Sequence, residues 1–366
     1  MPSIFGDLFD RPDLSRRLVS NAAAGRPILL YGTGDGADKT ISRLAGLGVS
    51  AAGVFVSPDH ARGQTFRGFP VLPLDEALER WDDPVVLLCF ASRDPFVIDG
   101  IEKLARRIEL LIPDLPVAGE TVFDLAFAEA HRDEIEKALA LFSDERSREV
   151  YSSLLAYKLS GELAPLLASS DAGYDPFSLL PTDRFRVALD GGAYDGDTAR
   201  ALTDRAPSLR EILCVEPDER NYRRLLAYRD RETRAAITPL RCALSDAPGE
   251  AQLFASGNRN STLFRESHEA RRETVEVKTV DELLAGSPVD FIKLDVEGAE
   301  AAALRGAEKT LSLCRPSLLV SAYHRSEDLF SLPHLLARLC PGCRLYLRRR
   351  RSLPGWDVDL ICVPES

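Results

Sequence analysis

Three carboxylates crowd one short stretch, FIKLDVEGAE (291–300): Asp295, Glu297 and Glu300, set around Gly298 and directly behind the apolar run Val289–Leu294. That run reads as a buried strand, so the acids stand where a strand gives way to a helix, at the mouth of a sheet. In open α/β sheets ligands bind there, beyond the carboxyl ends of the strands. Two more strand ends carry acids. VALDGGAYDGDTAR closes a strand at Asp190, after which Gly191, Gly192 and Gly196 form a turn that opens a helix at Thr198. EILCVE closes the next strand at Glu216, roughly 25 residues further on, as expected of a carboxylate that holds ribose hydroxyls. Asp190, Asp195 and Asp197 crowd the glycine turn and disfavour a pyrophosphate on the helix start, where charge must be complementary. They suit a ligand with ammonium or sulfonium character. S-adenosylmethionine carries both.

Methyl transfer from a sulfonium has an excellent leaving group, so alignment does most of the work. An alcohol acceptor must still lose its proton during attack, which calls for a nearby base. His324 ends PSLLVSAYH, the strand after that of Asp295, and imidazole titrates near neutral pH. It is the expected base, with Asp295 orienting it or the acceptor, or holding the methionine ammonium instead. Glu297 either pairs with Lys293 or touches substrate, and Glu300 complements the dipole of the helix it opens. Asp295, Glu297 and His324 are ligand types that suit Mg²⁺ or Mn²⁺, but no metal is expected.

The elements that must position these residues read as α/β throughout. From Arg26 to about Leu115, PILLYG, VSAAGVFVS and PVVLLCFAS are strands, GTGDGADKTISRLAGLG is a glycine turn opening a helix, and PVLPLDEALERW is a turn and helix. Alternating strands and helices imply parallel pairing. A helical connector follows, with apolar residues at helical spacing in EIEKALALFSDERSREVYSSLLAYKL and a solvated DERSRE face. The second unit has strands at 186–190, 211–216, 237–244, 289–295, 316–324, 343–348 and 356–363. The last two, joined by a short turn with Pro354 and Gly355, pair as an antiparallel hairpin. The expected domains are 1–117 (a small Rossmann-like α/β unit), 118–180 (the connector) and 181–366 (five parallel strands plus the hairpin).

From about Tyr174 onward the chain resembles the FkbM-family S-adenosylmethionine-dependent methyltransferases. The resemblance rests on ALDGGAYDGDT, CVEPDERNYRRL, RCALSD, VKTVDELL, DFIKLDVEGAEAAALRGA and a proline-led strand ending in YH. It implies the class I methyltransferase sheet and a cofactor surrounded by Asp190, Gly191, Gly192, Ala193, Tyr194, Gly196, Asp197 and Thr198. Asp190, Gly192, Ala193 and Gly196 would line its methionine part. Glu216 would hold the ribose, Pro217 and Asp218 would flank the adenine, and Ala243 and Leu244 would close over that ring. Tyr174 would cap the pocket, and Asp295, Glu297 and His324 would form the catalytic floor. Relatives that share SAYHRSEDLFSLP and LYLR often continue LYLR with histidine, where this chain has Arg349. The amino-terminal unit resembles the Rossmann-like domain of nucleotide-sugar acyltransferases, on GTGDGA (32–37), GFPV and PLDEAL. Such a domain would bind nucleotide or nucleotide-sugar, or serve architecture.

Composition bounds the rest. The 366 residues are 45% hydrophobic and 28% charged, with net charge −11. Acidity at that level repels phosphate backbones, so nucleic acid is a poor partner. No apolar run approaches the roughly 20 residues that cross a bilayer, and the amino terminus shows no signal peptide. Seven scattered cysteines agree with a reducing, cytoplasmic compartment; CPGC (340–343) reads as a turn. SGNRNSTLF (256–264) is a lid or a surface loop, and RLYLRRRRS (344–352) a charged hairpin edge or a contact for a phosphorylated acceptor.

The expected activity is O-methylation of a sugar, glycan or secondary-metabolite hydroxyl, nucleotide- and lipid-linked sugars included; a homo-oligomer is compatible with it. The alternatives are a nucleotide-sugar-binding or -modifying protein and a non-catalytic S-adenosylmethionine-binding scaffold.

Overall fold

The computed structural model describes residues 13–171, 173–255 and 271–365; the segment 256–264 lies outside them. Among the described residues no helix is long and apolar enough to cross a membrane. The first unit contains Ile28–Tyr31 (β1), Gly53–Val56 (β2), Thr65–Phe66 (β3), Phe69–Pro73 (β4), Val85–Leu88 (β5) and Glu109–Leu111 (β6). They form one sheet in the order β3-β4-β2-β1-β5-β6, parallel except for the β3–β4 hairpin. The sequence reading took PVLPLDEALERW as a turn and helix. Its first residues instead belong to β4, because Arg67 and Gly68, both at positive φ, make a two-residue hairpin that returns Phe69 opposite Phe66.

The glycine turn GTGDGA is tight for packing. A Cβ on Gly36 would lie 2.3 Å from the Cys89 carbonyl oxygen, so this glycine lets the helix Asp35–Gly46 close against the end of β5. Asp35 pairs with Lys39 and Asp38 with Arg67.

The second unit contains Val187–Gly191 (β7), Glu211–Val215 (β8), Ala236–Leu240 (β9), Ala243–Leu244 (β10), Gly249–Ala255 (β11), Arg271–Lys278 (β12), Phe291–Leu294 (β13), Ser317–Ser321 (β14), Cys343–Arg349 (β15) and Val358–Pro364 (β16). Seven of them form a sheet in the order β15-β16-β14-β13-β7-β8-β9, five parallel strands with the β15–β16 hairpin added antiparallel at β14. ITPLRCAL is not one strand. It breaks at Arg241, which turns out toward Glu219, and β10 pairs with β12 in a separate three-stranded sheet. The order of the main sheet reverses between β7 and β13, and the crevice at their carboxyl ends is the expected ligand position.

The helix Glu145–Ser160 joins the two units. Asp144 caps it by accepting from the Ser147 N–H, and ten of its residues are buried; of these only Ser147 falls in DERSRE, whose other residues are exposed or half-buried. Val150, Tyr151, Leu154 and Leu155 pack with Leu345 and Leu347 of the second core. Tyr157 packs with Leu29, Val86 and Leu353 in the first.

The arginine run is equally structural. Arg348 pairs with Asp144, and Arg351 reaches Asp99 and Glu102. Arg349 is fully buried and donates to the carbonyls of Leu166, Ser352, Pro354 and Trp356. Neither a solvated edge nor a phosphate contact describes it, since its donors are spent on the backbone. Arg349→Ala would strand several buried carbonyls, each worth about 1–3 kcal/mol. We expect a loss of about 3 kcal/mol or more in urea unfolding; an unchanged midpoint would mean those carbonyls find other partners.

Candidate active site

A cavity of about 410 Å³ opens at the carboxyl ends of β7, β8 and β13, within the roughly 300–1,000 Å³ usual for small-molecule sites. Of the residues singled out in the sequence, Gly192, Tyr194, Asp197, Thr198, Glu216, Pro217, Ala243, Leu244, Asp295 and Glu297 line it.

Each owes its place to local backbone. Gly192 sits at φ +77 and donates, with Ala193, to the Val215 carbonyl, which ties the glycine turn to β8. Gly196, at φ +87, begins the helix Asp197–Arg205; a Cβ there would meet the Tyr228 ring at 2.6 Å. Glu216 is nearly buried and accepts from the Tyr194 N–H at 2.8 Å and the Asp218 N–H at 2.9 Å. Burial pushes its carboxyl from 4.5 up to about 7, against the pull of those two hydrogen bonds.

A raised carboxyl favours folding most below pH 4.5, and that contribution is lost as pH rises through about 7. Hydroxyl recognition has the opposite sign, because it needs the charged acceptor. Cofactor affinity should therefore level off above pH 7 and fall roughly tenfold per unit below it, with proton release on binding. Calorimetry in buffers of different ionisation enthalpy reads both, and an affinity flat from pH 5 to 8 would remove Glu216 from the ribose.

An ion pair runs from the cavity wall into the core. Asp190 is fully buried, and its carboxylate lies 3.3 Å from Lys293 Nζ. Lys293 Nζ also donates to the Gly192 carbonyl at 2.8 Å and stands 3.8 Å from Asp295. Burial opposes the charge on Lys293, but Asp190, Asp295 and Asp197 outweigh it and hold its pKa above the ordinary value. Asp190 is raised to about 6 by burial, with Lys293 pulling the other way.

The third group surrounds His324. The ring is fully buried, with Nδ1 3.0 Å from Glu300 Oε1, and Nε2 3.5 Å from Asp295 Oδ1 and 3.7 Å from Glu297 Oε2. Burial alone would lower its pKa, but Glu300, Glu297 and Asp295 push it up to about 10. Burial raises Glu297 to about 8 in turn. Glu300 Oε1 also accepts the Val296 N–H at 2.8 Å, which tightens the turn before its helix.

Other expected residues lie behind the cavity surface. His324 does not line the cavity; it faces the carboxylates Asp295 and Glu297, which do. Asp190, Gly191, Ala193 and Gly196 lie behind the wall and shape it. Asp218 is the buried cap of the helix Glu219–Arg229, accepting from the Arg220 and Asn221 N–H groups. Tyr174 packs with Phe177 and Phe185 in a core on the other face.

The sequence also hid contributors. Lys293 and Asn221 line the cavity, as do Tyr323, Trp356 and Asp357, and from the first unit Ser92 and Arg93 at the end of β5. Arg93 is fixed there by Asp357, its Nε 2.8 Å from Oδ2. A lysine inside the apolar strand FIKL was the one available signal, since a buried ammonium demands carboxylate partners.

Comparison with known proteins agrees with this geometry. No curated protein matches the chain in sequence. The crystal structure of the methyltransferase FkbM from Methylobacillus flagellatus KT superposes with a TM-score of 0.68 at 18% identity, covering 99% of this chain and 94% of that one; it is similar in fold over both units. Aeropyrum pernix fibrillarin, solved with S-adenosyl-L-methionine bound, is a remote likeness: TM-score 0.32, 16% identity, 50% of this chain and 68% of its own. Residues 190–350 match the family model of the methyltransferase FkbM domain. Over those residues the chain is similar to the methyltransferase FkbM domain, and both of its units share the fold of the solved methyltransferase FkbM.

Proposed function

We propose that the enzyme is an O-methyltransferase acting on a hydroxyl of a sugar, glycan or secondary metabolite. The carrying observation is one cavity lined both by Glu216 and by Asp295 with Glu297. The donor set suits S-adenosylmethionine: the wall has Asp197, Glu216, Asp295 and Glu297 against Lys293 and Arg93, which fits a cationic ligand. Glu216 would accept the ribose hydroxyls, Ala243, Leu244 and Pro217 would cover the adenine, and Gly192 with Asp295 would hold the methionine end. When bound, the cofactor supplies a methyl group on a sulfonium that leaves as a neutral thioether.

The protein's own residues do the rest. Asp295 and Glu297 face the acceptor and take its hydroxyl proton, while His324 behind them fixes their orientation and partly offsets their charge. Tyr323 and Trp356 give the acceptor end aromatic faces, and Ser92 and Arg93 close it from the first unit. Trp356 and the nearby acids suit a polyhydroxylated ring with an apolar face. Small-molecule and glycan acceptors, nucleotide- and lipid-linked sugars among them, and action in the cytoplasm belong to the same reading.

The test is incubation with methyl-labelled S-adenosylmethionine and a panel of glycosides. An alkali-stable labelled ether is expected. An alkali-labile ester, or tight binding of a reduced nicotinamide with no binding of S-adenosylmethionine, would overturn the reading.

A further inference from the structure

We propose that Cys343, with Cys340 as its resolving thiol, is a reversible oxidation site that a hydroperoxide closes into a disulfide across the turn 340–343. The site is built apart from the cavity. Cys343 opens β15 opposite Pro364, and Cys362 of β16 pairs with Leu318 near the start of β14. That is the amino end of the parallel strands, whereas the cavity lies at their carboxyl ends.

Three thiols meet there, and their spacings give them different parts. Cys343 donates its N–H to the Cys340 carbonyl at 3.2 Å, and Gly342 stands at φ +74. Proline followed by a glycine at positive φ makes this a type II turn, whose ends lie within about 7 Å. A disulfide needs its two Cα atoms about 4.4–6.8 Å apart, so the turn brings this pair to bridging distance. Cys362 stands opposite Leu345, two residues on from Cys343 and on the same face of the sheet. Such diagonal neighbours have Cα atoms about 7–8 Å apart, which is too far to bridge. Cys362 is left as a donor to Cys343.

Access and charge separate the thiols further. Cys340 and Cys362 are buried, Cys343 is half-buried, and Pro341 and Gly342 beside it are exposed. Arg315, at φ +46 after the helix Glu308–Cys314, reaches the turn with Nη2 3.4 Å from the Pro341 carbonyl oxygen. The Cys343 sulfur accepts from the Cys362 thiol, the Arg315 guanidinium and the Cys340 thiol, and they hold it at about 7 although burial pushes it up. The thiolate, which is the nucleophile, is therefore present near neutral pH. Burial instead pushes Cys89 up to about 12 and Cys242 up to about 11, which leaves those two inert.

The Cys343 thiolate attacks one oxygen of the hydroperoxide. The O–O bond breaks, Cys343 becomes a sulfenic acid, and the leaving oxygen takes a proton from water. The Cys340 sulfur then attacks the Cys343 sulfur, the S–O bond breaks, and hydroxide departs as water with the Cys340 proton. The two sulfurs give up two electrons and the peroxide takes them. Exchange with a dithiol reductant reverses the change.

The experiment treats the reduced full chain with stoichiometric hydrogen peroxide, blocks remaining thiols with N-ethylmaleimide and maps the peptides by mass spectrometry. Cys343 should react ahead of the other six cysteines. A Cys340–Cys343 peptide lighter by two hydrogens is expected, restored by dithiothreitol. Cys340→Ser should stop at a sulfenic acid captured on Cys343 by dimedone, and Cys343→Ser should leave Cys340 reduced, both variants being checked for native melting. A disulfide from Cys343 to Cys362, oxidation falling first on the half-buried Cys314, or a Cys343 thiol that outlasts the others overturns the site.

Discussion

Asp190→Ala should bind S-adenosylmethionine at least roughly a hundredfold more weakly, about 2.7 kcal/mol, although Asp190 does not touch the cavity. Its carboxylate is the nearest counter-charge of Lys293, whose ammonium is also tied to the Gly192 carbonyl. Without Asp190 a buried positive charge is left against the wall that must receive a cationic ligand. Breaking a buried pair from one side costs about 3–5 kcal/mol of stability, so the variant should also melt lower. The double variant Asp190→Asn/Lys293→Met removes both charges and should recover much of the stability. It should not recover all of the affinity, because the Gly192 turn loses its tether. Equilibrium dialysis and thermal melts on the three proteins check this. An unchanged affinity in Asp190→Ala would place the cofactor elsewhere.

Gly192→Ala is the second large effect, and its cause is steric. A Cβ at this position would lie 1.9 Å from the Asp295 carbonyl oxygen, and the backbone is at φ +77. Neither obstacle is a movable side chain. To admit the methyl, the turn after β7 must part from the end of β13, which carries the Asp295 carboxylate away from the glycine turn. We expect a loss of about 3–5 kcal/mol, at the upper end of single-site effects, and turnover at least roughly a hundredfold lower at temperatures where the variant is folded. Turnover within a few-fold of wild type would show that the spacing of those two strand ends does not matter to chemistry.

Much of the frame behind these effects was legible in the chain. Apolar runs ending in Asp190, Glu216 and Asp295 announced the strands, and the acids at their ends announced the crevice. The β15–β16 hairpin followed from the Pro354–Gly355 turn. Lys293 was harder, because FIKL reads as an apolar strand until its neighbour β7 brings Asp190 alongside. The side on which a ring nitrogen faces is set by tertiary packing, so His324 read as a base although Asp295 and Glu297 are the groups on the cavity. Arg93 meets Asp357 across 264 positions of sequence. No local pattern marks such a contact, and the part of the first unit in the cavity wall stayed hidden for that reason. Arg349 failed for a similar reason: a run of four arginines reads as surface, but one of them is enclosed by carbonyls from the connector and the hairpin turn.

The helix Glu145–Ser160 bears on how the two units hold together. Its residues belong to the cores of both sheets, so the two units share a packed member. They should melt in one cooperative transition. Arg93 of the first unit and Glu297 of the second line the same cavity, so that packing also ties together the two sides of the cavity. Closing the cavity by moving one unit against the other would have to disturb the packing of this helix in one of the two cores.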